Sequence, residues 1–520
     1  MRILEVLVLI ALLPVLISFF FTRKSRPGWL RIFPWLALLL VLLHLAIEKY
    51  RWQMVPAYLL TLLVCLLALR KAPTETIRTA WWRTTGRIAG AVLGLLVCAL
   101  TVALAAGIPV FQDPATTGPY AVGTTRFFFV DKSREDPFAP APHTPRELLA
   151  AAWYPAEVAS NAKPEPFWPA NAHMESMLRA PSFFFSHIHL VKSHSYLDAP
   201  VAPAERQYPV LIFSHGYSGS IWQNTAQMEE LASHGFIVFS LGHTYESAAV
   251  PFPDGRVILM SQARWDEMMH STLWAELVKL YQQQERTNDR AELRRIAMQI
   301  MAIDTGGLAS KSLPVWVADT RYLMDELEKI NSGEDVDIVG PAKQFAGRFD
   351  LARLGVLGMS FGGAIVSEVC ARDPRCKAGL NLDGEQFGVP MDHSLQVPYL
   401  HFSNAHIKMD DSIYEDSRAD SYGVHVNRST HQNFTDMSLA LPLAQWISSY
   451  KIPLLGRVDR KEMEDIMSAY TLAFFQQYLQ GKPQPLLDGP PPAGKFPDVV
   501  FSAQKAPAAQ SEPAAPARSR

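Results

Sequence analysis

Four long apolar runs fill the first 110 residues, at 3–21, about 32–47, about 54–69 and 88–110. A helix that crosses the hydrocarbon core of a bilayer takes about 20 apolar residues, within a range of about 17–25. By that measure the first and fourth runs span directly. The middle two reach the length once Trp29, Trp35, Trp52 and Tyr58 sit at the interface and nearby Lys or Arg side chains snorkel. Residues 1–110 are therefore expected to form an all-α transmembrane region of about four helices. A cleaved signal peptide does not fit, because the first run carries Glu5, has no basic segment beyond Arg2, and precedes three more apolar runs.

Lys and Arg concentrate on the cytoplasmic side of membrane proteins. Arg23, Lys24, Arg26 and Arg31 follow the first run, and Arg70, Lys71, Arg78, Arg83 and Arg87 follow the third. Only Lys49 and Arg51, offset by Glu48, follow the second. The two basic loops are expected inside, and both chain ends outside. This describes an integral protein of the inner or plasma membrane whose globular part lies on the periplasmic or extracellular side. A count of three crossings would invert that side. With 48 basic and 50 acidic residues the net charge is −2, too little positive charge for a nucleic-acid partner.

After the membrane region, residues 111–145 read as a connecting arm with one edge-strand candidate, "TRFFFV". Then near-continuous apolar runs ("LLAAAWYP", "YPVLIFSHG", "GFIVFSLGH", "RLGVLGMS", "AGLNLDG", "VPYLHFSN", "YGVHVNR") alternate with helical patterns at 223–234, 314–330, 361–372 and 461–480. That alternation indicates a parallel sheet covered on both faces, an α/β domain over 146–502. A charged helical stretch at about 262–303 interrupts it as a cap insertion would, the last helix is expected to close the sheet, and the Ala/Pro-rich residues 503–520 read as a disordered tail. Cys370 and Cys376, in "CARDPRC", form a disulfide or stay as buried thiols; without further ligands they make a poor zinc site.

"GMSFGG" matches G-x-S-x-G, with Gly358 and Gly362 flanking Ser360, and it falls between a strand and a helix as a nucleophile elbow requires. A serine hydroxyl needs a histidine base held by a carboxylate, and in this arrangement the chain order is Ser, acid, His. Asp383, ending "AGLNLDG", is the best acid, against Asp410 and Asp411. His431, in the loop after the last of these strands, is the best base, against His401, His406 and His425. Oxyanion donors are expected from the backbone N–H groups of Phe361, just after the serine, and of Tyr217, in the turn after "LIFSHG". Ser218 is a weaker nucleophile candidate because no elbow surrounds it. "SFFFSHIHLVKSHS" gathers Phe183, Phe184 and Phe185 with His187, His189 and His194, as a lipid-contacting patch, a metal site or an aromatic loop folded onto the domain.

In this order, "GPYAVGTTRFFFVD", "AAAWYPA", "VLIFSHGYSGS", "LASHGFIVFSLGH", "GVLGMSFGGA", "GLNLDG" and "HQNFTD" resemble the platelet-activating factor acetylhydrolase family, plasma type and bacterial lipase-like relatives, over about residues 117–480. The resemblance implies an α/β-hydrolase fold and the same catalytic residues, Ser360, Asp383 and His431, with the amides of Tyr217 and Phe361 as oxyanion donors. It further implies a calcium-independent esterase that removes short or oxidised acyl groups from phospholipids or cleaves related esters. Met359 departs from the histidine that many members place before the serine, and the membrane region is not part of the usual family pattern. The expectation is thus a membrane-anchored serine ester hydrolase on a lipid or small ester substrate, its chemistry needing no metal or organic cofactor. An envelope acyltransferase, a general esterase or lipase, and a non-catalytic membrane receptor or scaffold are the alternatives.

Overall fold

The computed structural model describes the chain except for residues 22–26, 71–79, 170, 335, 337, 386–394, 407–416, 447, 450–451 and 507–520. Side-chain alternation along the apolar runs builds one large sheet. Its strands are β1 (Ala121–Glu135), β2 (Pro145–Ala156), β3 (Ser195–Leu197), β4 (Tyr208–Ser214), β5 (Ile237–Gly242), β8 (Ile338–Val339), β9 (Phe349–Met359), β10 (Cys376–Leu382), β11 (Tyr399–Asn404), β12 (Ser421–Val426) and β13 (Val499–Gln504). A small hairpin, β6 (Ala249–Pro251) and β7 (Val257–Leu259), stands apart. The sheet order is β13-β12-β11-β10-β9-β4-β5-β2-β1-β3, with β8 also on β1. The central six, β12 to β5, are parallel; β2 and β1 continue antiparallel.

Both faces of the centre are apolar, which is what makes the runs near-continuous. On β4, Leu211 and Phe213 point to one face, where α5 (Thr225–Ser233) contributes Met228 and Leu231 and α11 (Arg460–Leu479) contributes Phe474 and Phe475. Val210 and Ile212 point to the other, against Leu323 and Leu327 of α9 (Leu313–Ser332) and Ile365 and Val366 of α10 (Phe361–Arg372). The α/β architecture expected from the sequence is the one observed. The stretch read as an insertion carries α6 (Gln262–Met269), α7 (Trp274–Arg286) and α8 (Arg290–Met301).

Two edges differ from expectation. Residues read as a connecting arm supply β1, the longest strand, and it is no edge: β2 pairs along one side, β3 and β8 along the other. Nor does the last helix end the sheet, because β13 pairs antiparallel with β12. It runs into the stretch read as a tail, whose residues 507–520 lie outside the described residues. Cys370, in α10, and Cys376, at the start of β10, are joined as a disulfide.

At the N-terminus, α1 (Ile3–Ser18), α2 (Phe33–Leu43), α3 (Val55–Leu69) and α4 (Ala80–Gly107) pack through Val8, Leu12, Ala37, Ala57, Val64 and Cys98. Leu39, Leu59, Leu62, Leu93 and Leu96 face outward. Three helical stretches, Gly28–Glu48, Trp52–Leu69 and Thr84–Gly107, are long and apolar enough to cross a membrane; Ile3–Ser18, at 16 residues, is shorter. The lengths of the first two runs are the reverse of the expectation. The first run is α-helical only to Ser18, whereas a 3-10 turn (Gly28–Ile32) and a π turn (His44–Glu48) lengthen the second.

The α2–α3 turn meets the sheet domain. Trp52 Nε1 donates to the Phe184 carbonyl at 3.0 Å, Gln53 Nε2 donates to His187 Nδ1 at 3.0 Å, and the Trp52 ring lies edge-on to Phe183. Arg51, buried against Glu5, donates to the Ile108 carbonyl at 2.7 Å.

Candidate active site

At the carboxyl end of β9 the chain turns sharply into α10, and Ser360 sits at the corner with φ 56° and ψ −122°. Such left-handed backbone is strained for any residue with a Cβ, and surrounding contacts must hold it. The Ser360 N–H donates to the Leu382 carbonyl at 2.8 Å, and the Ser360 carbonyl accepts from Gly363 N at 2.8 Å. The flanking glycines allow the crossing. A Cβ on Gly358 would stand 2.3 Å from the Gly362 backbone, and one on Gly362 would stand 2.0 Å from the Ser214 carbonyl oxygen. Neither partner is a movable side-chain tip. Gly362→Ala is therefore expected to destabilise the fold by about 2–4 kcal/mol, seen as a lower thermal midpoint; an unchanged midpoint would contradict this packing.

Asp383 follows β10, buried, and Asn404 at the end of β11 holds its carboxylate. Asn404 N donates to Oδ1 at 2.8 Å, and Asn404 Nδ2 lies 2.7 Å from Oδ2. His431 opens a 3-10 turn, His431–Phe434, beyond β12. Asn433 fixes that turn by accepting from Thr430 N and Gly456 N, each at 2.8 Å. The imidazole then bridges the site: Nδ1 is 2.6 Å from Asp383 Oδ2, and Nε2 is 2.8 Å from Ser360 Oγ. With Nδ1 donating to the carboxylate, Nε2 is left to accept from the serine hydroxyl.

Burial disfavours the charged ring, but the hydrogen bond and charge of Asp383, with Glu385 adding to them, outweigh it and raise the His431 pKa above the ordinary value. Glu385 is itself pushed up to about 7 by burial. If His431 must be neutral to act as a base, kcat/KM falls as the pH drops through this raised pKa, with an inflection above about 6.5. A pH–rate profile flat from about pH 5 to 8 would contradict that role.

The His215–Tyr217 turn lies directly against the serine, since a Cβ on Gly216 would stand 3.2 Å from Ser360 Cβ. Gln223 Oε1 accepts from Gly216 N at 3.2 Å. The Tyr217 side chain is anchored by its ring, which packs against both Trp316 and Phe361, and by its hydroxyl, which donates to Glu246 Oε1 at 3.2 Å. Glu246 also accepts from Trp316 Nε1 at 2.8 Å, Ser312 Oγ at 2.6 Å and Arg264 Nε at 3.1 Å, which ties α6 of the insertion to this turn.

The rival candidates lie elsewhere or have other partners. His401 is buried within β11, where burial takes its pKa down to about 4. His425 Nδ1 is 3.1 Å from Ser403 Oγ, and the His406 amide donates to Asn404 Oδ1. Ser218 sits in a turn, not an elbow, and its amide donates to the Glu246 carbonyl. Asp410 and Asp411 lie outside the described residues. The three histidines of "SFFFSHIHLVKSHS" have separate partners: His187 on Gln53, His189 on the Ser186 carbonyl, and His194 on the Asp113 carbonyl. The supporting residues Asn404, Gln223, Asn433, Glu246 and Glu385 escaped the sequence reading. Asn404 carried a usable signal, a polar residue at the carboxyl end of a strand, the same signal that marked Asp383.

Fold and site together define an enzyme of the α/β-hydrolase class, with an elbow serine beneath a histidine and a carboxylate. A family model described as platelet-activating factor acetylhydrolase, isoform II, matches residues 107–484, and the chain belongs to that family. The chain is similar to the platelet-activating factor acetylhydrolase of Cavia porcellus, with 27% identity over 384 residues that cover 70% of this chain and 78% of the relative. It is also similar to a probable 1-alkyl-2-acetylglycerophosphocholine esterase of Arthroderma benhamiae, with 24% identity over 446 residues, 79% of this chain and 99% of the relative. Among solved structures, a ferulic acid esterase from Streptomyces cinnamoneus matches with a TM-score of 0.56 and 25% identity, covering 75% of this chain and 99% of the esterase. The chain is an ester hydrolase similar to platelet-activating factor acetylhydrolases.

Proposed function

We propose that Ser360 is the nucleophile of a membrane-anchored lipid esterase, with His431 as general base, Asp383 orienting it, and the amides of Tyr217 and Phe361 stabilising the oxyanion. The observation that carries this is the single imidazole bridging Ser360 Oγ at 2.8 Å and Asp383 Oδ2 at 2.6 Å. His431 takes the serine proton as Oγ attacks the ester carbonyl. It then returns the proton to the leaving alcohol, giving an acyl-enzyme that water cleaves by the same route in reverse. Each oxyanion donor contributes about 2.7–4 kcal/mol to lowering the barrier.

The substrate class we favour is a phospholipid with a short or oxidised acyl chain, on the strength of the family and the named activities of the relatives. Attachment beside a bilayer suits such a substrate. The bundle supports an exported catalytic domain. Arg2 hydrogen-bonds the Glu48 and Lys49 carbonyls and Arg51 bonds the Ile108 carbonyl, so the N-terminus, the α2–α3 turn and the end of α4 share one level, with the catalytic domain beside them. Among the described basic residues, Arg31 lies in the 3-10 turn that leads into α2, Arg70 follows α3 and Arg87 lies in the first turns of α4, at the helix ends away from that level, and the positive-inside rule favours the cytoplasm for such an end. The Cys370–Cys376 disulfide supports the same oxidising, exported side for the catalytic domain.

The reading is tested by hydrolysis of phospholipids differing only in one acyl chain, using the full-length protein in mixed micelles. A kcat/KM at least about 100-fold higher for an acetyl than for a palmitoyl group is expected. Equal rates, or cleavage only of esters outside the phospholipid class, would overturn the substrate assignment while leaving the catalytic one standing.

A further inference from the structure

One buried carboxylate supports both residues whose amides are assigned to the oxyanion. Glu246, in the loop between β5 and β6, is 0% exposed. Its carbonyl accepts from Ser218 N at 3.0 Å and its Oε1 accepts from the Tyr217 hydroxyl at 3.2 Å, so Tyr217 and the residue after it are fastened to the same support. Ser218 takes a left-handed φ of 58°, which persists only where its surroundings hold it. Glu246 Oε2 accepts from Trp316 Nε1 at 2.8 Å. That indole also supports the second donor: the Phe361 ring lies edge-on to it with centroids 4.9 Å apart, and the Tyr217 ring stacks on it at 6.3 Å. The Tyr217 and Phe361 rings meet each other edge-on at 5.8 Å. Ser312 Oγ at 2.6 Å and Arg264 Nε at 3.1 Å also donate to Oε1.

An oxyanion hole lowers the barrier only when its N–H groups already point to where the negative charge will form. We propose that Glu246 is a positioning residue for ester cleavage, holding the Tyr217 and Phe361 amides in place through the Ser218 amide, the Tyr217 hydroxyl and the Trp316 indole. This rests on Ser360 as the nucleophile and on those two amides as the oxyanion donors. Each hydrogen-bond partner that the carboxylate has among the described residues is a donor, and glutamine cannot satisfy that set. With its oxygen kept at the Oε1 position, its nitrogen faces Trp316 Nε1; turned over, it faces Tyr217, Ser312 and Arg264. Either way buried donors oppose each other, and the indole or the Tyr217 turn must move. The general base is spared, because the charges that bear on His431 are those of Asp383 and Glu385.

The test compares the wild type with Glu246→Gln and Tyr217→Phe, full-length in detergent, hydrolysing 4-nitrophenyl acetate. Rates are expressed per serine titrated with a fluorophosphonate, which discounts any misfolded fraction. Glu246→Gln is expected to lower kcat per titrated site by about 10- to 100-fold, with KM within about threefold and the His431 pH inflection unmoved. Tyr217→Phe, which deletes one hydroxyl and keeps the ring, should lower it by about 3- to 10-fold. A trifluoromethyl ketone reads the oxyanion itself: Ser360 Oγ adds to its carbonyl carbon, the serine proton passes to His431, and the former carbonyl oxygen takes the negative charge. Its affinity should fall by the same factor as kcat in each variant. A kcat per site within about twofold of the wild type in both variants, a rise in KM alone, or an unchanged ketone affinity would overturn the proposal. If Glu246→Gln fails to fold, Tyr217→Phe decides by the same measurements. Ser360→Ala separates the two readings: activity kept there refutes the nucleophile, whereas activity lost there but kept in the other two variants refutes the positioning role alone.

Discussion

Ser360→Ala is expected to lower kcat for ester hydrolysis by about 10⁵- to 10⁶-fold while leaving the thermal midpoint close to that of the wild type. The elbow is held by backbone contacts, Ser360 N to the Leu382 carbonyl and Gly363 N to the Ser360 carbonyl, and alanine keeps both. What alanine removes is the one oxygen placed 2.8 Å from His431 Nε2. The residual rate above the uncatalysed reaction would come from binding and the oxyanion donors alone. A loss smaller than about tenfold would mean that another group attacks the ester.

Asp383→Asn should cost about 10⁴-fold in kcat, for a reason legible in its hydrogen bonds. The carboxylate accepts on both sides, from the backbone and side-chain N–H groups of Asn404 and from His431 Nδ1. An amide has one accepting oxygen and one donating nitrogen. With the oxygen kept toward Asn404, the amide nitrogen faces His431 Nδ1, which must then accept. The ring proton moves to Nε2, and the histidine can no longer take the proton of Ser360. The same change removes the negative charge that raises the His431 pKa, so any remaining pH inflection should shift downward. A variant within tenfold of the wild-type kcat, with its inflection unmoved, would refute this role for Asp383.

The centre of the sheet could be read from the chain because both its faces are covered, so β4, β5, β9 and β10 appear as nearly unbroken apolar runs. The three side chains of the candidate site followed from one rule, that functional groups gather at the carboxyl ends of parallel strands, together with their order along the chain. The periphery obeyed other physics. β1 begins apolar but ends in "VDKSRE", whose polar face hides a strand; β13 is short and follows a Pro- and Gly-rich segment. In the apolar N-terminal region composition marked the helices, but their hydrogen-bonded lengths depended on where turns extended them. The Trp52 and Gln53 contacts with the Phe184–His187 loop join residues more than a hundred positions apart. No local pattern encodes such pairings.

Reaction of the full-length protein with a fluorophosphonate probe, followed by peptide mapping, tests the central claim most directly. A serine activated by His431 should take up one phosphonyl group per chain, located on Ser360 and absent from Ser360→Ala. Failure of the wild type to react, or equal labelling of Ser360→Ala, would contradict the assignment of Ser360 as the nucleophile.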